Sequence, residues 1–146
     1  MRAGYILCLD LVQRIAIPAD SGWLASMIPH GVVGAYLLVD GDRPFYVGRS
    51  DSCLRRRLLG NPLLQAATHV FWEVCPSALR AFHMEAFWYD RLSPSGALLN
   101  KVHPARPWGD VRPCPFCFDS DLVRAAMPFG NRTLATEGNF FANQCP

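Results

Sequence analysis

The stretch GAYLLVDGDRPFYVGRSDSCLRRRLL, residues 34–59, restricts the fold more than any other part of the chain. Residues 32–39 are apolar and β-branched, which favours an extended backbone, and the run ends in Asp-Gly-Asp-Arg, a turn signal. The extended pattern resumes over 45–48, so the two runs are expected to pair as an antiparallel hairpin. Side chains alternate across a strand, so Tyr36 and Leu38 share one face, and Tyr46 and Gly48 share one face of the partner. A helix should follow, capped by Ser50 or Ser52, with Leu54 and Leu58 on one side and Gly60, Asn61 and Pro62 ending it.

The rest of the pattern builds around this hairpin. Residues 68–74 alternate large apolar side chains at Val70, Trp72 and Val74, as a third strand would. Ser77 is placed to cap a helix running from Ala78 to about Leu92. Upstream, the apolar stretch 5–17 is broken by Pro18, and Asp20 or Ser21 can cap a short helix ended by Pro29. Proline density climbs through Pro104, Pro107, Pro113 and Pro115, marking a boundary. Three parts are expected: an N-terminal extension (1–30) packing on the main domain, that domain (31–107), and a small Cys-containing module (108–146).

At 146 residues, 51% hydrophobic and 18% charged, the chain can bury a core and does not read as disordered. No run approaches the roughly 18 apolar residues of a membrane helix. The segment YILCLDLV is short, interrupted by Asp10, and lacks a small-residue cleavage site. A soluble, cytoplasmic protein with no membrane partner is expected. The net charge of +2 is unevenly spread: 31–107 holds nine Lys/Arg against six Asp/Glu, while the flanking parts sum to 0 and −1. That surplus is either a solvated helix face or a surface for a phosphate-bearing partner.

Glu85 stands out within ALRAFHMEAFWYDRL. On a helix its neighbours are Ala81 and Phe82 one turn back, and Trp88 and Tyr89 one turn on. A carboxylate buried there without compensation costs several kcal/mol by order of magnitude. Either that face looks outward, an arginine pairs with Glu85, or the carboxylate holds a divalent cation or a proton. Phosphodiester hydrolysis needs a metal, a base near the attacking water and a cation near the developing charge. Glu85, a tyrosine and an arginine of the basic run could supply these.

These residues resemble a known family. GAY at Gly34, Ala35 and Tyr36 and YVG at Tyr46, Val47 and Gly48, ten residues apart from tyrosine to tyrosine, look like the two halves of the GIY-YIG nuclease signature. LRRRL resembles the helix that carries the family's arginine, the Glu85 helix resembles the one with its metal-binding glutamate, and LLN ending at Asn100 resembles its structural asparagine. The likeness spans about residues 32–104. It implies a small α+β domain on a three-stranded antiparallel sheet flanked by helices, cutting DNA phosphodiesters with Mg²⁺ or Mn²⁺. By the resemblance, Tyr36 is the general base or positions the water, Tyr46 assists and contacts phosphate, and Gly48 lets the backbone turn closely. Glu85 holds the metal and Asn100 braces the site. Arg57 is the catalytic arginine, with Arg56 as the alternative; Arg49 and Arg56 reach the nucleic-acid backbone, and Arg55 is either a solvated side chain or one that contacts phosphate. Ala35 stands where a β-branched residue is usual, and Asn61 where many members have His or Tyr. His69 is read either as a substitute that contacts nucleic acid or as a plain strand histidine, and His83 as structural.

Cys8, Cys53 and Cys75 read as buried thiols in apolar or helical surroundings. Cys114-Pro-Phe-Cys117 is preceded by PWGDVRP, which is no strand, so a glutaredoxin-type redox site is disfavoured. With Cys145 it resembles part of a zinc ribbon, which implies structural Zn²⁺ on Cys114, Cys117 and Cys145. A continuation of the chain, His103, a second subunit or water is left for the fourth position. The leading expectation is a metal-dependent DNA endonuclease. Its rival is a binding module that keeps the fold without cutting.

Overall fold

The structure is a computed structural model and describes residues 6–9 and 12–116. Strands β1 (Ile6–Leu9) and β2 (Val12–Ile15) pair antiparallel, with Ile6 opposite Ile15. The second sheet holds β3 (Ile17–Pro18), β4 (Val33–Asp40), β5 (Arg43–Ser50) and β6 (His69–Cys75) in the order β3-β6-β4-β5, all antiparallel. The helices are α1 (Ser21–Met27), α2 (Leu54–Leu59) and α3 (Ala78–Leu92). The class is therefore α+β. The expected three-stranded sheet gains a fourth strand, because Ile17 and Pro18 pair with Val70 and His69 at its edge. Two residues carry no readable period, and Pro suits an edge where its missing N–H opposes no partner.

Local signals account for most elements. Gly41, at φ 62°, makes the left-handed turn between β4 and β5. The Asp20 carboxylate accepts from Trp23 N at 2.9 Å to start α1, and Ser77 Oγ accepts from Arg80 N at 3.2 Å to start α3. The start of α2 differs from expectation. Its cap is Cys53, half-buried rather than buried as expected and with no side-chain cap bond, while Ser50 Oγ accepts from Cys53 N at 2.9 Å and so shapes the preceding turn. A bulge between Leu38 and Val39 leaves Phe45 without a partner in β4. Its carbonyl accepts from Leu99 N at 2.7 Å instead.

The sheet separates two apolar layers. Tyr36, Leu38 and Val70 pack with Leu24 of α1, Leu54 and Leu58 of α2, and Leu64 of a 3-10 turn, Pro62–Ala66. Ala35, Leu37, Val39, Val47 and Phe71 pack with Trp88 of α3 on the other face. Ala35 thus faces the core and is fully buried. α3 is also covered on its outer side, where Phe82 and Ala86 meet Cys114. No helix among the described residues is long and apolar enough to cross a membrane.

Candidate active site

Among the described residues β5 is an edge strand, and a cleft of about 310 Å³ lies along it. Tyr46, Gly48, Arg49, Ser50 and Asp51 come from β5 and its end, Arg57 from α2, Glu85 from α3 and Ala105 from the following segment. Alternation along β5 explains the composition. Gly48 lies opposite Tyr36, while Arg49 lies opposite Ala35 on the α3 face. An edge strand lets both rows reach one opening.

Glu85 is paired with an arginine. Arg49 Nη1 donates to Glu85 Oε2 at 2.7 Å, and both side chains are almost enclosed, at 12% and 13% exposed. Arg49 also donates to Ala105 O at 2.7 Å, and its Nε donates to Asp51 Oδ1 at 2.7 Å. The guanidinium lies 5.3 Å from the centre of the Phe82 ring. Burial opposes the charge of Arg49, but Asp51 and Glu85 more than offset it and leave the pKa raised. Burial pushes the Glu85 carboxyl up to about 7 despite the opposing pull of Arg49. The sequence reading set Arg49 on the nucleic-acid backbone, whereas this guanidinium turns inward. The parity of β5 carried that signal, since position 49 shares the α3 face with Val47.

Tyr36 is fully buried and does not line the cleft. Its ring centre lies 6.2 Å from that of Tyr46. Its hydroxyl accepts from Asn61 Nδ2 at 2.8 Å. Burial raises the phenol to about 12, more than the Asn61 bond lowers it. A neutral, enclosed phenol is a poor base at neutral pH, so the base role expected of Tyr36 does not fit its surroundings. Asn61, read from the sequence as a departure, also accepts from Leu63 N at 2.9 Å and starts the 3-10 turn. It thus ties that turn to the tyrosine.

The motif glycines have steric reasons. A Cβ on Gly48 would lie 2.5 Å from Tyr36 Cζ and 2.6 Å from its hydroxyl oxygen. Gly48 is therefore required by the ring lying across it, rather than by the close backbone turn expected from the sequence. A Cβ on Gly34 would run into the carbonyl oxygen of Glu73.

Asn100 clasps the strand beside the cleft. Val47 N donates to Asn100 Oδ1 at 2.9 Å, and Asn100 Nδ2 donates to Val47 O at 2.8 Å. Arg57 is exposed at the cleft, while Arg55 and Arg56 share α2 without lining it. His69 is buried at the far end of β6, opposite Val39, with Nδ1 3.0 Å from Thr68 Oγ1. It is a strand histidine away from the cleft, and the expected contact with nucleic acid does not fit that place. Asp51, Ser50 and Ala105 line the cleft with no sequence signal that marked them. Cys114 is buried beside α3, whereas Cys117 and Cys145 lie outside the described residues. Compared with known proteins, the chain matches no family model, no curated protein and no solved structure.

Proposed function

We propose that this chain is a GIY-YIG-type endonuclease that hydrolyses DNA phosphodiester bonds with Mg²⁺ or Mn²⁺. The observation that carries the reading is the meeting of Tyr46, Arg57 and Glu85, from three separate elements, around one open-sided cleft. Such a cleft suits a backbone passing along it better than an enclosed small molecule.

Glu85 presents oxygen to the cleft with Asp51 beside it, a hard donor set of the kind Mg²⁺ accepts alongside several waters. Glu85 would hold the ion through the oxygen that Arg49 does not engage. A bound divalent ion there neutralises phosphate charge and makes a water more acidic. Arg57, exposed at the rim, stabilises the negative charge that grows on the phosphoryl oxygens. The Tyr46 hydroxyl hydrogen-bonds the phosphate or the attacking water. Tyr36 and Asn61 hold the floor beneath Gly48, and Asn100 fixes the strand that carries Tyr46.

A second reading, a DNA-binding module without cleavage, draws on two contacts: Arg49 already engages Glu85, and Tyr36 is closed off from the cleft. Supercoiled plasmid and branched DNA incubated with Mg²⁺, Mn²⁺ or EDTA separate the two. Metal-dependent nicking that falls by about 10²-fold or more in Arg57→Ala and Glu85→Ala is expected. Binding without cutting in every metal would reject the nuclease and leave the module.

A further inference from the structure

Beside α3, three side chains of metal-binding type converge. One ligand atom each from Asp90, His103 and Cys114 lies within 4.8 Å of the others. Asp90 comes from the last turns of α3, while His103 and Cys114 come from residues 97–116, which hold neither helix nor strand.

Each group is in a state that suits ligation. Both carboxylate oxygens of Asp90 are closed to solvent and have no hydrogen-bond partner. A buried carboxylate left in that way is costly, and it ordinarily signals a proton or a cation. His103 is 5% exposed, with its ring edge-on to Tyr89 at 5.6 Å and to Phe82 at 6.4 Å. Its Nδ1 lies 2.8 Å from Pro104 O, which can only accept, so Nδ1 carries the proton and Nε2 the lone pair. A backbone carbonyl behind one ring nitrogen is the usual means of orienting the other toward a metal. Cys114 is 6% exposed among Phe82 and Ala86.

We infer that Asp90, His103 and Cys114 are ligands of a structural Zn²⁺ that staples the segment after α3 to the helix. One oxygen, one nitrogen and one sulfur donor suit zinc, which takes all three at about 2.0–2.3 Å. Hard ions such as Mg²⁺ do not select thiolate. The sequence reading placed zinc on Cys114, Cys117 and Cys145, with His103 among the candidates for the fourth position. The described residues bring a carboxylate and an imidazole to Cys114. The staple also bears on the cleft. Ala105, two residues beyond His103, accepts from the same Arg49 nitrogen that pairs with Glu85.

The test is zinc content and cobalt spectroscopy on the full chain, which read the site whether or not the protein cuts DNA. Purified protein should carry about one zinc per chain and, on exchange with Co²⁺, show thiolate-to-cobalt charge transfer with tetrahedral d–d bands. Asp90→Asn, His103→Gln and Cys114→Ser should each weaken zinc beyond the roughly 10–100-fold that loss of a group behind a ligand costs. Glu85→Gln should leave zinc in place. X-ray absorption at the zinc edge of the unmutated protein guards against variants that fail to fold. A shell mixing sulfur with nitrogen and oxygen is expected, and an all-sulfur shell or one without sulfur overturns the inference. So does protein that takes up no zinc, or zinc lost from Cys117→Ser and Cys145→Ser but kept in Asp90→Asn and His103→Gln.

Discussion

At the scale of single residues, close packing and charge decide more than motif identity. Tyr36 fills the space above Gly48, and its buried ring has no room to give way. Gly48→Ala should therefore cost about 1–3 kcal/mol, the usual range for overpacking a filled site. Urea unfolding measures it, and a midpoint equal to the parent's would refute the steric account. Tyr36→Phe in the same chain removes only the hydroxyl contact, so it should restore part of the loss, a coupling that the double-mutant cycle reads. Glu85 gives a second prediction, with its sign fixed by burial. Without metal its carboxyl takes up a proton as pH falls through about 7, and only the ionised form can hold a cation. Nicking should therefore rise with pH through that region. Its midpoint should move to lower pH as Mg²⁺ increases, because a bound cation favours the carboxylate. Arg49→Gln, which removes the opposing charge, should move it to higher pH. A midpoint insensitive to Mg²⁺ would separate Glu85 from the metal.

At the scale of elements, β5 is an edge strand held in place by groups that are not strands. Asn100 supplies both a donor and an acceptor to Val47, as a neighbouring strand would. Asn100→Ala should cost about 1–3 kcal/mol by leaving those groups unpaired. Asn100→Asp should be no better, since it keeps one bond but sets an oxygen against Val47 O. Faster hydrogen exchange at the Val47 amide in both variants is the local sign. Unchanged protection would mean that the clasp does not hold the strand. The same element shows what a sequence can convey. The hairpin, the bounds of α3 and the Ser77 cap rest on alternation, turn residues and a side-chain cap, all local, and all were readable. β3 was not, because two residues have no period. The Arg49–Glu85 pair joins groups 36 positions apart and depends on which face of an edge strand each residue takes. Alternation along β5 held that information, but only once α3 was known to lie on that face. The apolar stripe around Glu85 left an outward face, an arginine partner and a bound cation or proton all open, because the helix is covered on both sides, by the sheet and by the segment carrying Cys114.

At the scale of the whole molecule, charge separates binding from chemistry. The surplus over residues 31–107 is three positive charges, and Arg49 does not add to the outward field because Glu85 and Asp51 neutralise it. On α2 three cations stand in consecutive positions, Arg56 and Arg57 exposed and Arg55 half-buried, whereas Arg43, Arg80, Arg91, Lys101 and Arg106 are exposed singly elsewhere. If α2 lies along the DNA backbone, each arginine that meets a duplex phosphate should contribute about 0.9 to the slope of log affinity against log salt. Arg55→Ala and Arg56→Ala should lower that slope and weaken binding on any sequence, yet leave cutting at saturating DNA close to that of the parent. Arg57→Ala should lower the slope and the cutting rate together, because Arg57 alone of the three lines the cleft. Binding isotherms at several salt concentrations, paired with single-turnover nicking, measure both quantities in the same variants. A slope that none of the three changes would move the DNA surface off α2, while an equal loss of cutting in all three would make the helix act as one electrostatic unit rather than through Arg57.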